Sequence, residues 1–323
     1  MFDTNSALGR RVNTMVREFA DHMRFTGTPQ VSRVFVSPVA PDERQVFRVA
    51  LGDEVFAMKI DTTSAETGRL QDEFAGLEAL SAHFANYDKL GTATPIYLSP
   101  GGAFFVMDYL AHQTAGQRLQ GREQDQTARQ VYRRAGMWLS ALHDFKPKKK
   151  GQFHGRWMLV EIDERLAAGQ MQAPRDLVER YRAQLSQQVE TTGNTKDIRA
   201  WCHGDFHSEN IMMGPGMTYA FDLTETRMKM ALYDAVDFLK VDVFRPYGAG
   251  DVDPSGLIAA HREMFFKGYK PPVKQHLFEI AMRGRLLIDW VDISRQAYTT
   301  KDVDRRRYDR IAPRLEIAFG LSR

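Results

Sequence analysis

Three side chains in the second half of the chain stand at intervals that suit phosphoryl transfer. The stretch Trp201-Cys202-His203-Gly204-Asp205-Phe206-His207-Ser208-Glu209-Asn210-Ile211 is followed by Phe221-Asp222-Leu223. An aspartate can take the proton of an attacking hydroxyl, while an amide oxygen and a second carboxylate hold the magnesium of a bound ATP. Asp205, Asn210 and Asp222 are the candidates for these tasks, with apolar, strand-like residues between the last two. The plain alternative is a turn aspartate and a strand-capping asparagine. The ordered series of residue types opposes it.

These residues resemble the aminoglycoside phosphotransferase and choline kinase group, which shares the protein-kinase fold. That group writes its catalytic loop as His-Gly-Asp, four intervening residues and Asn, matched by His203-Gly204-Asp205 and Asn210. Its metal-binding Asp follows a hairpin and opens an Asp-apolar-X element, matched by Asp222-Leu223-Thr224. Leu232-Tyr233-Asp234-Ala235-Val236-Asp237 looks like the Tyr-Asp-apolar segment whose Asp braces the catalytic loop. Leu139-Ser140-Ala141-Leu142-His143 looks like the Leu-X-X-Leu-His that ends the helix before the substrate-binding insert.

The resemblance implies an α+β, two-lobed protein-kinase-like fold. A small antiparallel-sheet lobe with one or two helices would occupy residues 1–107, a hinge 108–110, and a larger, mainly helical lobe 111–323. It implies Asp205 as catalytic base, Asn210 and Asp222 as Mg2+ ligands, and ATP or GTP as co-substrate. Lys59 ends an alternating strand where kinases carry the lysine for the α and β phosphates; Glu73 on the next helix is its expected partner, with Glu66 and Glu78 as competitors. Phe104 to Leu110 resembles the last small-lobe strand entering the hinge, making Asp108, Tyr109 and Leu110 nucleotide-binding candidates. His203 is expected to be structural, and His207 has no clear chemical task. Metal binding by the two would need further ligands, and none stands nearby at suitable spacing.

One segment departs from the pattern. Kinases cover the phosphates with a glycine-rich loop, but here the connection is Ser37-Pro38-Val39-Ala40-Pro41-Asp42-Glu43-Arg44, with two prolines and no glycine. Ser37 and Arg44 are the groups there that could touch phosphate. In Arg285 to Asp292, Asp289 and Trp290 are substrate-facing candidates, against a core role for Trp290.

The implied activity moves the γ-phosphoryl group to a hydroxyl of a small molecule: a sugar, polyol, amino alcohol or aminoglycoside-like compound. A serine/threonine protein kinase of the stress-kinase kind would share the motifs, but no Ala-Pro-Glu element follows Asp222. The missing glycines motivate a non-catalytic nucleotide-binding pseudokinase, which the intact Asp205, Asn210 and Asp222 oppose.

The elements that must position these groups are legible by period. Helices are expected over 4–24 (capped by Ser6 or Thr4), 65–84, 125–145, and a pair over 159–190 broken at Ala173-Pro174. Strands are expected over 31–36, 45–51, 54–60, 94–99 and 103–108, and further helices near 231–243, 255–268, 272–298 and 302–318. Apolar residues make up 43% and charged residues 26%, an ordinary globular balance. The single cysteine, Cys202, excludes an intramolecular disulfide and is expected to pack as a small apolar group. No apolar run is long enough to span a bilayer and the first residues lack signal-peptide character, so a cytoplasmic protein without a membrane partner is expected.

A net charge of +3 does not argue for nucleic acid. The charge is uneven: residues 256–323 hold 14 Lys plus Arg against 8 Asp plus Glu, read as a solvated helix face. Lys146 to Lys150 reads as an exposed basic loop. The basic carboxy-terminal region suits a sugar, polyol or phosphorylated acceptor better than a polycation. Nothing in the sequence sets the oligomeric state.

Overall fold

The computed structural model describes residues 6–37, 39–120, 125–248 and 250–320. Thr4, the alternative helix cap, and Pro38 of the glycine-free connection lie outside the described residues. The chain divides into two compact units, residues 1–113 with 214–224, and residues 114–213 with 225–323.

Unit 1 opens with helix α1, Ala7–His22, whose first turn is capped by Ser6: its hydroxyl accepts the Gly9 N–H at 3.0 Å. Strands β1 (Gln30–Val36), β2 (Arg44–Leu51) and β3 (Glu54–Asp61) pair antiparallel in sequence order. The single helix expected over 65–84 is two, α2 (Ser64–Thr67) and α3 (Arg69–Phe84), because Gly68 between them adopts the left-handed φ of 71°. β4 (Leu90–Thr92), β5 (Pro95–Leu98) and β6 (Phe104–Asp108) follow, and the antiparallel sheet runs β1-β2-β3-β6-β5.

Strand alternation decides what this sheet presents on each side. Phe47, Val49, Met58 and Val106 pack in one cluster with Val12, Val16 and Phe19 of α1. Phe105, one residue away from Val106, meets Phe74 of α3 edge-on at 5.9 Å. Lys59, one residue from Met58 and paired across the ladder with Phe105, therefore shares the α3 side.

In unit 2 the chain forms α4 (Ala115–Leu119), α5 (Asp125–His143), β7 (Lys149–Gln152), α6 (Arg156–Ala168), α7 (Arg175–Thr192), β8 (Lys196–Cys202) and β9 (Ile211–Met213). Pro174 is the N-cap residue of α7 rather than its first helical residue. β10 (Thr218–Ala220) returns to unit 1, pairing parallel with β4. β11 (Arg227–Met230) then joins unit 2's own antiparallel sheet, ordered β11-β8-β7. Part of the expected basic loop, Lys149 and Lys150, is thus edge strand.

The remaining helices are α8 (Leu232–Leu239), α9 (Ala259–Gly268), α10 (Gln275–Val291), α11 (Arg295–Thr300) and α12 (Asp302–Ala318), with a 3-10 turn at Lys240–Phe244. α9 starts later than expected because Gly256, at φ 85°, interrupts any helix from 255. α10 and α11 divide the long helix expected over 272–298, and the Ser294 hydroxyl caps the second by accepting the Ala297 N–H at 3.1 Å. α5 and α9 cross in close contact. A Cβ at Gly136 would lie 2.2 Å from the Phe265 carbonyl oxygen, and one at Gly268 2.2 Å from that of Arg133.

Phe19 is fully buried and meets Phe56 edge-on at 5.1 Å. Phe19→Ala is expected to cost about 3–5 kcal/mol in urea unfolding. Val34→Ala, at a half-exposed position on β1, should change stability by no more than about 0.5 kcal/mol. Equal losses from the two variants would contradict the docking of α1 on the sheet.

Candidate active site

In unit 2 the residues from His203 to Asn210 leave β8 through a turn that only glycine fits. Gly204 has φ 86°, and a Cβ there would stand 2.4 Å from the Glu225 carbonyl oxygen. The carboxylate of Asp234, at the start of α8, fastens the turn by accepting the N–H of His203 at 2.7 Å and of Gly204 at 3.0 Å. His143, ending α5, brings Nε2 to 3.1 Å from Asp234 Oδ2 and Nδ1 to 2.7 Å from the Tyr269 hydroxyl. Burial by itself would raise the Asp234 carboxyl; the hydrogen bond and charge of His143, the charge of His203 and the Gly204 N–H outweigh it and hold it below the usual carboxylate range.

Cys202 adds a third ligand-type atom beside His143 and Asp234, all three within 4.8 Å of one another and buried. The Asp234 oxygens are committed to two amides and a histidine, so this cluster is a brace. Burial pushes the Cys202 thiol well up, consistent with packing rather than reactivity. His203 is buried too, its ring against Phe206 at 5.6 Å and its Nδ1 accepting the Asp205 N–H at 3.4 Å. The stacked Trp138 and Phe206 rings, 5.6 Å apart, floor the loop.

Asp205 itself is half-exposed, its Oδ2 accepting from Asn210 Nδ2 at 3.3 Å and lying 3.4 Å from His207 Nε2. Asn210 also donates Nδ2 to the Asp205 carbonyl at 3.0 Å, so its amide nitrogen is committed to the loop. Between them, Ser208–Asn210 forms a 3-10 turn that His207 opens by accepting the Glu209 N–H at 3.2 Å.

In unit 1, Lys59 Nζ donates to Glu73 Oε1 at 2.7 Å and to Asp222 Oδ1 at 2.8 Å. Burial alone would lower the Lys59 ammonium, but the Glu73 and Asp222 carboxylates outweigh it and the net shift is upward, so the lysine stays charged. Burial pushes the Glu73 carboxyl up against the opposing pull of Lys59. Its second oxygen, Oε2, is buried with no hydrogen-bond partner among the described residues. Asp222 follows β10, with φ 60°, a left-handed conformation that costs an aspartate energy, and the Thr224 hydroxyl donates to its Oδ1 at 3.2 Å.

A family model described as the phosphotransferase enzyme family matches residues 36–269, more than half of the chain. The chain belongs to this family. No curated protein matches it as a sequence relative. Among solved structures, choline kinase LicA from Streptococcus pneumoniae is similar at 15% identity and TM-score 0.57, covering 94% of this chain and 99% of that one. A choline/ethanolamine kinase family protein from Mesorhizobium loti is similar at 15% identity and TM-score 0.57, covering 95% and 94%. An amicoumacin kinase in complex with AMP-PNP, Ca2+ and Ami is similar at 13% identity and TM-score 0.55, covering 96% of each chain. The likeness shows the fold, protein-kinase-like, with an antiparallel-sheet part and a mainly helical part. Family membership makes the chain a small-molecule phosphotransferase with an alcohol group as acceptor.

Other expected positions in this phosphotransferase are placed as follows. Asp108 Oδ1 accepts the Thr94 N–H at 2.5 Å and its own N–H donates to the Thr94 carbonyl at 3.0 Å, closing the end of β6; burial raises its carboxyl. Tyr109 and Leu110 are partly buried, with the Arg48 guanidinium 5.8 Å from the Tyr109 ring. Ser37 and Arg44 are engaged within unit 1, Ser37 Oγ accepting the Ala40 N–H at 3.3 Å and Arg44 Nε donating to Asp61 at 3.0 Å.

The substrate-facing expectation for Trp290 is corrected. It is buried at 1% exposure between Tyr308, stacked at 5.2 Å, and Tyr181, at 6.3 Å. Its indole is too large an apolar body to leave that core. Asp289 is neutralised by Lys240 at 2.9 Å and Arg307 at 3.0 Å.

Sequence reasoning missed α4 as a support of the loop. Thr114 Oγ1 donates to Glu209 at 2.7 Å and caps α4 in a reciprocal box with Gln117. A Cβ at Gly116 would lie 1.7 Å from Glu209 Oε1. The spacing Thr114-X-X-Gln117 was the available signal.

Asp234→Asn would turn an amide donor toward loop N–H groups and is expected to cost about 3 kcal/mol at neutral pH. Because the folded carboxyl is depressed, its stabilisation is full above the unfolded-state pKa near ~3.9 and fades as pH falls through the lower folded value. Melting temperatures of wild type and variant should therefore differ at neutral pH and converge in acid. Identical melting at neutral pH would rule out the brace.

Proposed function

We propose that the chain transfers the γ-phosphoryl group of a magnesium-bound ATP or GTP to the hydroxyl of a small molecule: a sugar, polyol, amino alcohol or aminoglycoside-like compound. The observation that carries this is the Lys59 ammonium held between the Glu73 and Asp222 carboxylates, at 2.7 and 2.8 Å. A lysine so fixed offers a permanent positive charge to the α and β phosphates.

Asp205 orients the acceptor hydroxyl and takes its proton. Its half-exposed carboxylate suits a base that must reach an incoming substrate, and a loose transition state asks for no raised pKa. Asn210 and Asp222 offer amide and carboxylate oxygen with neither sulfur nor imidazole, the donor set of a hard divalent cation. Such a cation, when bound, screens the charge that develops on the transferring phosphoryl group. Asp108, Tyr109 and Leu110 form the hinge and meet the nucleotide base, dividing residues 1–107 from 111–323. The family match favours a small acceptor over a protein one, and the amicoumacin kinase held with AMP-PNP and Ca2+ fits a nucleotide with a divalent metal. Among the described residues no helix is long and apolar enough to cross a membrane, consistent with work in the cytoplasm.

A mass-spectrometric screen of hydroxyl-bearing metabolites with ATP and Mg2+ should find an acceptor that gains a phosphate. With that acceptor, Asp205→Ala is expected to lower kcat about 10²–10⁴-fold without a change in melting temperature. Asp222→Ala should in addition weaken Mg2+-dependent nucleotide binding in calorimetry. A folded Asp205→Ala chain with normal turnover would remove the assigned base.

A further inference from the structure

β11 carries a cation that the assigned chemistry does not use. Lys229 stands on an edge strand of the β11-β8-β7 sheet, opposite Ala200. A Cβ at Gly204 would lie 2.7 Å from Lys229 Nζ, so the ammonium fills the place of a side chain immediately before Asp205. The side chain is partly exposed and its ammonium reaches solvent. Among the described residues it meets neither a hydrogen-bond acceptor nor a carboxylate. Glu225 brings its own Cβ to 3.0 Å from the same point, but its side chain is exposed and makes no ion pair with Lys229 among the described residues. Arg227, two residues earlier and on the same side of the strand, is exposed and likewise unpaired among the described residues. An ammonium has three donors and no acceptor of its own, so a free one beside the loop is open to an anion.

The surface that α8 extends from the loop is closed to the opposite charge. Tyr233 directly precedes Asp234, whose carboxylate ties the turn, and its hydroxyl accepts Trp157 Nε1 at 2.9 Å. Such an aromatic pair is the kind of surface that receives a cation, but the Arg285 guanidinium already lies 5.6 Å from the centre of the Trp157 ring. The carboxylates farther along α8 and on α10 are also taken. Asp237 pairs with Arg285 at 2.8 Å and lies 3.9 Å from Lys240, while Asp289 pairs with Lys240 at 2.9 Å and with Arg307 at 3.0 Å. These three cations outnumber the two carboxylates, so an ammonium compound finds no unpaired acid among them.

We propose that the acceptor hydroxyl belongs to an anionic compound, a phosphate ester or a carboxylate, whose negative group is held by Lys229 with Arg227 at the approach. This rests on the transfer reaction proposed above and narrows its acceptor. The acceptor oxygen bonds to the γ-phosphorus as the bond from that phosphorus to the bridging oxygen breaks. The nucleoside diphosphate leaves, and the hydroxyl proton passes to Asp205. Lys229 takes no part in that exchange of bonds. It decides which molecule presents its hydroxyl to Asp205, because a neutral analogue forgoes the ion pair and a cationic one is repelled. Lys229 belongs to unit 2 with Asp205, whereas the lysine assigned to the nucleotide phosphates, Lys59, belongs to unit 1.

The test splits a small-molecule cell extract on an anion exchanger at neutral pH, incubates each fraction with the full chain, ATP and Mg2+, and follows phosphate gain by mass spectrometry. The gain is expected in the retained fraction. Gain wholly or mainly in the unretained fraction overturns the anionic acceptor and leaves the transfer reading standing. Gain in neither fraction fails the transfer reading and this inference with it. Alkaline phosphatase applied to the retained fraction, then removed before the reaction, separates the two sources: loss of the acceptor identifies a phosphate ester, its survival a carboxylate, and either supports the inference. With that acceptor, Lys229→Met is expected to raise its KM about tenfold or more, with kcat at saturation and the KM for ATP within about twofold. Lys229→Arg should recover part of the loss. Thermal melting reports whether Lys229→Met folds; should it fail to, Arg227→Ala decides by raising the acceptor KM severalfold or, by leaving it unchanged, overturning the assignment. An unchanged acceptor KM in a folded Lys229→Met chain, or a rise in the KM for ATP instead, also overturns it.

Discussion

One buried carboxylate, that of Asp234, organises the loop from His203 to Asn210. Asp234 accepts two successive backbone amides, His203 and Gly204, and meets the ring of His143 through the same group. Hydrogen bonds to a charged acceptor are worth about 1.5–3 kcal/mol each, and a carboxylate with 2% exposure would otherwise be costly. The bonds join three elements far apart in sequence: the end of α5, the end of β8 and the start of α8. The direction of Asp205 and the 3-10 turn that carries Asn210 follow from how that loop is tied. Groups that must act on a substrate need support whose own rotamers are locked, and the support of this loop is electrostatic.

The second fixed group is built differently. Lys59 is placed by strand period, which sets it on the α3 side of the sheet, and Glu73 meets it from one buried helix turn. Asp222 reaches the same ammonium only by holding a left-handed backbone conformation, with φ 60°. Such strain in a non-glycine residue costs on the order of 1–3 kcal/mol and persists where the surroundings over-determine it. The parallel pairing of β10 with β4 and the Thr224 hydroxyl on Asp222 are the visible restraints. A relaxed aspartate would point elsewhere, so strain here is part of positioning.

Much of this could be read in advance where chemistry dictates residue type and interval. The tie between Asp234, His143 and the His203-Gly204 turn was legible because its motifs recur in order along the chain, and the pairing of Lys59 with Glu73 because strand and helix period place both. Helix ends were less so: Gly68 and Gly256 interrupt helices whose apolar period runs on past them. The β11-β8-β7 sheet was missed because Lys149–Gln152 has no alternation to show, and its pairing with Lys196–Cys202 is a long-range contact. Trp290 was ambiguous because period alone cannot say which side of an apolar helix meets a neighbour; Tyr181 and Tyr308 decide it from distant parts of the chain.

The glycine-free connection before β2 has an electrostatic consequence. Ser37 Oγ accepts the Ala40 N–H, Gln45 at the start of β2 donates Nε2 to the Pro41 carbonyl, and Arg44 donates to Asp61 at the end of β3. On the proposed reading the grip on a triphosphate falls to Lys59, whose charge is already opposed by two carboxylates. Taken as ionised, that trio is net negative and would repel a bare nucleotide. Burial pushes Glu73 toward its neutral form, which eases the repulsion, and a divalent cation on the Asp222 carboxylate would reverse it. If the chain works as proposed, its nucleotide affinity should therefore depend more on the metal than it does where a glycine loop supplies backbone amides.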